Sequence, residues 1–158
     1  KAAQTELVFA RPCCPGKYHI LFTGEVAAVD ASLEAGKRLG GEYLVDAVII
    51  PRVHPDVIRA ITQCTQVEAH LALGIMEFFS ITAAVYAADA AVKAAEVNLI
   101  DVRLGTGIGG KSFVMLTGEV AAVEESVRCG VREAAAAGMA LQSVVIPNPR
   151  PELFECLL

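Results

Sequence analysis

The heptapeptide TGEVAAV stands at residues 23–29 and again at residues 117–123. Seven identical residues in register mark an internal duplication, because so long a match does not arise by chance in a chain of this length. The flanking matches keep nearly the same register: residues 16–17 with 110–111, and residues 48–51 with 144–147. The chain therefore contains two copies of one unit, whose small differences in length fall where loops absorb them.

The second copy contains every element of the unit. Its periodicity and turn residues predict strands at 71–79, 97–104, 112–116 and 141–146, and helices at 81–95 and 119–137. The order βαββαβ is typical of an α/β (α+β) sandwich in which helices pack on one face of a mainly antiparallel sheet. We assign residues 1–68 to the first copy and residues 69–158 to the second.

The first copy begins late in the unit. Lys1-Ala2-Ala3 aligns with Lys93-Ala94-Ala95, so the opening strand and most of the first helix have no counterpart in this chain. A sheet without that strand would leave a pairing edge and an apolar helix-docking face uncovered. We therefore expect a segment ahead of Lys1 to complete the first copy.

Composition and charge exclude several classes of protein. The 158 residues are 54% hydrophobic and 20% charged, which provides ample core, and the excess of Ala and Val over aromatics favours close packing and buried subunit contacts. A net charge of -5 without a Lys/Arg cluster argues against nucleic acid as a partner. The longest apolar stretch, 71–92, contains Glu77 and Asp89 and is a poor membrane span. With no export signal evident, we expect a cytoplasmic protein.

The segment GTGIGGKS at 105–112 satisfies two phosphate-binding patterns, G-x-x-x-x-G-K-S and G-x-G-x-x-G. Both patterns bind phosphate only where a strand precedes the loop and a helix follows it. Here a strand is predicted to follow, and the corresponding loop of the first copy, residues 13–17, lacks the glycines. We favour a glycine-rich hairpin loop, and a nucleotide-binding enzyme stays as the remote alternative.

The cysteines and histidines show no ligand or catalytic spacing. Five cysteines form an odd set without a disulfide framework: Cys13, Cys14, Cys64, Cys129 and Cys156. We interpret Cys64, Cys129 and Cys156 as packing residues. The histidines, His19, His54 and His70, are too scattered for a metal site. Because no nucleophile, base and orienting acid form a set, we predict that the protein is not an enzyme.

The chain nevertheless resembles a known family along essentially its whole length. LALGIMEFFSITAAVYAADAAVKAAEVNLI at 71–100, the two TGEVAAV segments and the strand-ending IPRVH at 50–54 resemble the bacterial microcompartment (BMC) shell domain. Two copies in one chain are similar to the tandem class, in which three chains form a pseudohexameric tile. The resemblance implies that loops of both copies line a central pore: Cys13, Cys14, Pro15, Gly16 and Lys17, with Ile108, Gly109, Gly110 and Lys111.

The first-copy loop carries a narrower resemblance. Cys-Pro-Gly-Lys at 14–17 is similar to the propanediol-utilisation type of tandem shell protein, in which the matching cysteine of three subunits holds an iron–sulfur cluster. This implies one [4Fe-4S] cluster per trimer, ligated by Cys14 of each chain, for electron transfer across the shell. Threefold symmetry would turn one thiolate per chain into three ligands. The alternative is an open metabolite-conducting pore in which Cys14 is an ordinary thiol.

The resemblance also implies a tile edge at Lys93, Arg52 and His54, where neighbouring tiles would meet. The second copy departs from this pattern, with Asn148 and Arg150 at the corresponding positions. Without the resemblance, Lys93 is equally well explained as a helix-end cation favoured by the helix dipole. The implied partners are two further copies of the chain, neighbouring shell proteins in a sheet and an encapsulated redox enzyme, with neither nucleic acid nor membrane. The implied location is a bacterial microcompartment in the cytoplasm.

Overall fold

The computed structural model describes residues 3–63, 65, 71–105, 107–135 and 139–157. The chain divides into two compact units, Lys1–Arg52 and Val53–Leu158, and each is described by itself. Cys64 and His70 lie outside the described residues. Among the helices of the described ranges, none has both the length and the apolar character needed to cross a membrane.

The first unit is built from a hairpin and a helix. Strands β1 (Glu6–Cys13) and β2 (Lys17–Thr23) are antiparallel, with Cys13 opposite Lys17, so residues 14–16 form the turn. Helix α1 (Val26–Gly40) follows, and a short 3-10 helix, Gly41–Tyr43, ends it. Gly41 has a φ of 49°, a value that suits glycine at a helix end.

The expected strand ending at Ile50 is absent. Residues 44–50 are described and form neither helix nor strand. The expectation of a strand is wrong for this segment. In the second unit the corresponding strand, 140–146, is hydrogen-bonded to the strand at 72–78, whereas the described residues of the first unit form no strand that pairs with 44–50. A strand without a hydrogen-bonding neighbour has no ladder to stabilise it.

The second unit forms a four-stranded antiparallel sheet. Its elements in chain order are α2 (Pro55–Ile61), β3 (Ala72–Phe78), α3 (Ile81–Ala94), β4 (Asn98–Leu104), β5 (Ser112–Gly118), α4 (Val120–Ala135), β6 (Ala140–Ile146) and α5 (Pro151–Leu157). The strand order is β4-β5-β3-β6. The predicted βαββαβ order is confirmed, and the strand predicted at 112–116 continues to Gly118 because it pairs with β3 as far as Ala72.

Small residues let α3 and α4 pack closely on one face of the sheet. A Cβ atom at Gly74 would lie 2.8 Å from Val127 Cγ2, and one at Gly130 would lie 2.9 Å from the carbonyl oxygen of Ala87. Five alanines of α3 are buried: Ala83, Ala84, Ala87, Ala88 and Ala91. The close packing expected from an Ala-rich composition is therefore present in this unit.

The short helices α2 and α5 were not predicted, and α5 covers a face of the sheet that was expected to carry no helix. Phe154 of α5 is fully buried against Leu73, Ile100 and Met115. Leu73 and Gly74 are neighbours on one strand and face opposite sides of the sheet, so α5 covers the face opposite α4. The expectation that helices cover one face only is wrong, because the seven residues of α5 are too few for periodicity to reveal.

Candidate functional site

The tip of the β1–β2 hairpin presents one thiol. Cys14 is exposed, whereas its neighbour Cys13 is buried. The peptide bond between Cys14 and Pro15 is cis, and Gly16 has a φ of 74° with open space around its Cβ position. Lys17, directly opposite Cys13, is exposed at the start of β2. The four residues Cys14 to Lys17 thus form a narrow, solvent-facing turn, of which only the first can supply an accessible thiolate.

An aromatic and cationic cluster lies on the same hairpin. Arg11 is opposite His19, and its Nε donates to His19 Nε2 over 3.2 Å. The guanidinium carbon lies 4.5 Å from the centre of the Phe9 ring, which itself lies 4.9 Å from the His19 ring centre. Burial, and then the positive charge of Arg11, lower the pKa of His19. The sequence analysis missed this cluster because its residues come together only when β1 pairs with β2 in the observed register.

The second-copy loop joins β4 to β5. Gly105 N donates to Lys111 O over 3.1 Å, and Lys111 N donates to Ile108 O over 3.3 Å. The ammonium of Lys111 lies 3.1 Å from Glu77 Oε1. Gly109 is exposed, while Ile108, Gly110 and Lys111 are partly buried, and Thr106 lies outside the described residues.

The elements that flank this loop show whether its glycines can bind phosphate. The flanking strands β4 and β5 are antiparallel neighbours, with Leu104 opposite Ser112. A helix N-terminus does not follow the loop, so the backbone geometry that both phosphate-binding patterns require is not formed. The interpretation as a glycine-rich hairpin loop is confirmed.

The two loops occupy equivalent positions in their own units. Each joins an antiparallel pair of strands directly before a TGEVAAV segment. The glycine before the lysine is left-handed in both loops, with φ values of 74° at Gly16 and 80° at Gly110. The helices start alike as well, since Val29 N donates to Glu25 O and Val123 N to Glu119 O, both over 2.9 Å.

Two of the predicted tile-edge residues meet at one carboxylate. Lys93 Nζ donates to Asp89 Oδ2 over 2.5 Å, and Asp89 Oδ1 accepts from His54 N over 2.8 Å. His54 caps α2, since its Nδ1 accepts from Asp56 N over 3.3 Å. Asp89 was missed as a site residue, although an acid four residues before a helical lysine is a recognisable pairing signal.

The remaining edge positions are exposed. Arg52 has a φ of 52° and is exposed at the end of the first unit. Asn148 and Arg150 are also exposed, and the carbonyl oxygen of Arg150 accepts from Leu153 N over 3.0 Å at the start of α5. Arg150 thus directly precedes α5, as His54 directly precedes α2.

The other described cysteines differ from each other. Cys129 is buried and donates to Glu125 Oε1 over 3.3 Å. That hydrogen bond, together with burial, raises the pKa of the Cys129 thiol and keeps it protonated. Cys156 is exposed, so the packing role predicted for it is wrong: Phe154, two residues earlier, holds the buried face of α5. Within the described ranges, His, Cys, Asp and Glu side chains form no group of three that could hold a metal ion.

Comparison with known proteins gives the family. The BMC domain model matches residues 1–53 and 72–149. This chain belongs to the BMC-domain family. It is 35% identical over 154 residues to the bacterial microcompartment shell protein PduT of Citrobacter freundii. The aligned region covers 98% of this chain and 84% of PduT. It is 38% identical over 85 residues to the shell protein EutM of Salmonella typhimurium, covering 53% of this chain and 85% of EutM.

Solved structures agree with this assignment. A microcompartment protein from Desulfitobacterium hafniense DCB shares 50% identity with a TM-score of 0.95, over 99% of this chain and 87% of that one. The fused permuted hexameric shell protein of the RMM microcompartment shares 25% identity with a TM-score of 0.59, over 85% of this chain and 72% of that one.

The comparisons confirm several predictions at once. The chain is a structural shell protein of a bacterial microcompartment with two BMC domains, and its relatives are structural proteins rather than enzymes. The match to EutM covers most of EutM but only about half of this chain. This difference in length supports the duplication inferred from TGEVAAV. The predicted location in a microcompartment is likewise confirmed. The exact repeat boundaries, residues 1–68 and 69–158, stay a prediction.

Proposed function

We propose that three copies of this chain form a pseudohexameric shell tile whose central pore is lined by Cys14 to Lys17 and Ile108 to Lys111. The observation that carries the proposal is the equivalence of the two hairpin loops, each followed by one strand that leads into a TGEVAAV helix start. Two equivalent units per chain become six around a threefold axis, which closes a ring. The hexameric description of the RMM relative supports such a ring.

We further propose that the pore of this tile holds one [4Fe-4S] cluster, with Cys14 of each chain as a ligand. The donor chemistry fits, since iron–sulfur clusters are held by thiolates and Cys14 is the exposed thiol of its turn. Gly16, two residues further along, adds no side chain beside this thiol. When bound, the cluster would supply one-electron transfer.

The neighbouring residues have different roles in this proposal. Cys13 is buried and belongs to strand β1, so it is unsuited to ligate the same centre as Cys14. Gly16, with its left-handed φ, lets the chain turn tightly without a side chain that would separate three converging loops. Lys17 adds positive charge beside a centre that thiolates and sulfides make anionic.

The first experiment compares the intact protein with Cys14→Ser and with Cys156→Ser after anaerobic purification. Light scattering gives the subunit number, and visible absorption with iron and sulfide analysis gives the cluster content. We expect trimers in all three proteins, and about one four-iron cluster per trimer that Cys14→Ser alone abolishes. The variant at Cys156 controls for loss of any exposed thiol.

Two results would contradict the proposal at different levels. Colourless, iron-free trimers after anaerobic reconstitution would overturn the cluster and favour the open metabolite-conducting pore. A species other than a trimer would overturn the pseudohexameric tile itself. An iron content that Cys14→Ser leaves unchanged would remove Cys14 as the ligand.

A further inference from the structure

The carboxylate of Asp89 connects two distant parts of the chain. It lies on α3 and is buried, and each of its oxygens has its own partner. Oδ1 accepts from the backbone N–H of His54 over 2.8 Å, and Oδ2 accepts from Lys93 Nζ over 2.5 Å. One buried group therefore fixes two residues that are 39 positions apart in the chain.

The Lys93 side of this arrangement restrains a surface cation. Asp89 precedes Lys93 by one helical turn, and 44% of the Lys93 side chain is exposed. A buried carboxylate is costly without a partner, which favours keeping the ammonium in place. Asp89 itself is anchored by the His54 backbone, so the pair has little freedom to move outward together.

The His54 side sets the start of α2. His54 is the N-cap of that helix, which is pinned to the rest of the unit by the buried side chains of Val57, Ala60 and Ile61. The bond from His54 N to Asp89 therefore sets where the chain enters α2 and where the imidazole lies. Both partners of Asp89 are residues that we assigned to the tile edge.

We propose that Asp89 is the positioning residue of the tile edge: it holds Lys93 and the start of α2 in one arrangement before a neighbouring tile arrives. A lysine that is already ordered loses less conformational freedom when an acceptor of the next tile binds it. This inference rests on the proposed function, because it needs tiles that meet at Lys93 and His54.

The test measures the lowest protein concentration at which purified tiles form sheets, by sedimentation and negative-stain electron microscopy. The variants are Asp89→Asn, Lys93→Met and the double variant. Asp89→Asn keeps an oxygen that can accept from His54 N but removes the charge, and Lys93→Met keeps most of the apolar stem. We expect each single variant to raise that concentration about tenfold.

The double variant separates positioning from simple stabilisation. If Asp89 acts through Lys93, the double variant should need no higher a concentration than either single variant, because coupled residues are not additive. A merely structural role would give additive effects and a lower melting temperature without this coupling. Glu34→Gln is the matched control, since Glu34 also pairs with a lysine of its own helix, Lys37, over 2.7 Å. The control should assemble like the unaltered protein.

Several outcomes would overturn the inference. If Lys93→Met raises the concentration and Asp89→Asn does not, the tile edge stands and only the role of Asp89 is wrong. If Lys93→Met itself assembles normally, the edge assignment and this inference are both overturned, whatever the state of the pore. Should Asp89→Asn fail to fold, Asp89→Glu takes its place: it keeps the charge at a changed reach, and it should weaken assembly without further loss on adding Lys93→Met.

Discussion

Helices α1 and α4 start within the same heptapeptide, TGEVAAV, and differ in what they bury. The same backbone bond closes the first turn of both helices, from Val29 to Glu25 and from Val123 to Glu119. Within its own unit α1 has no buried residue, whereas α4 buries six: Val123, Ser126, Val127, Cys129, Gly130 and Ala134. The heptapeptide specifies a strand-to-helix junction in both units, whereas the burial of α4 comes from its packing on α3 and on the sheet of the second unit.

The hairpins before these helices also differ, in the contacts that an equivalent arginine makes in each. Arg11 stands opposite His19 in the first unit, and Arg103 stands opposite Phe113 in the second. Arg11 contacts an imidazole and an aromatic ring, whereas Arg103 pairs with the buried Asp101 over 2.9 Å. Equivalent backbone positions thus carry a titratable contact in one unit and a fixed ion pair in the other.

The largest effect should come from placing a charge at the equivalent valines. Val123→Asp puts an unpaired carboxylate where the side chain is fully buried, and we expect it to lower the free energy of unfolding by about 4 kcal/mol or more. Val29→Asp lies at a partly buried position and should cost about 1 kcal/mol or less. Urea unfolding followed by circular dichroism measures both. Equal losses would break the comparison, because they would mean that α1 is packed in the intact protein.

A smaller effect is expected at a glycine that both helices share. Gly130→Ala would bring its Cβ within 2.8 Å of Met76 Sδ and should destabilise the protein by about 1–3 kcal/mol. Gly36→Ala meets nothing within 4 Å and should stabilise it by up to about 1 kcal/mol through helix propensity. Melting temperatures of the two variants should therefore shift in opposite directions. A loss of stability in Gly36→Ala would contradict the exposed environment of α1.

The smallest effect is the pH dependence of the first hairpin. The lowered pKa of His19 means that the folded state favours the neutral imidazole. Its contribution to stability is therefore complete above the ordinary histidine pKa of about 6.5 and falls as the pH drops from there toward the folded value. His19→Phe, which installs the residue that the second hairpin has, should flatten that part of the melting temperature profile. Identical profiles for the two proteins would exclude His19 as the titrating group.

The sequence analysis found the elements whose hydrophobic periodicity runs through many neighbouring residues, and it missed those that are short or depend on distant residues. The strand and helix order of the second copy followed from periodicities that run through each element, and it was confirmed. Helices α2 and α5 were missed because each has only seven residues. The strand expected to end at Ile50 has no pairing strand among the described residues of the first unit. The loops were found through the repeat, whereas the contacts of Lys111 with Glu77 and of His54 with Asp89 needed coordinates.

The sequence alone determined that the chain is a duplicated unit, where its two hairpin loops lie, and to which family it belongs, because repeats, turn glycines and alternation are written in neighbouring residues. The tertiary structure decided which of two identical heptapeptides has a packed helix behind it. It also decided that Cys14 is the exposed thiol of an adjacent pair, and that one buried carboxylate joins Lys93 to His54. These features depend on distances between residues far apart in the chain, and such distances are set by packing.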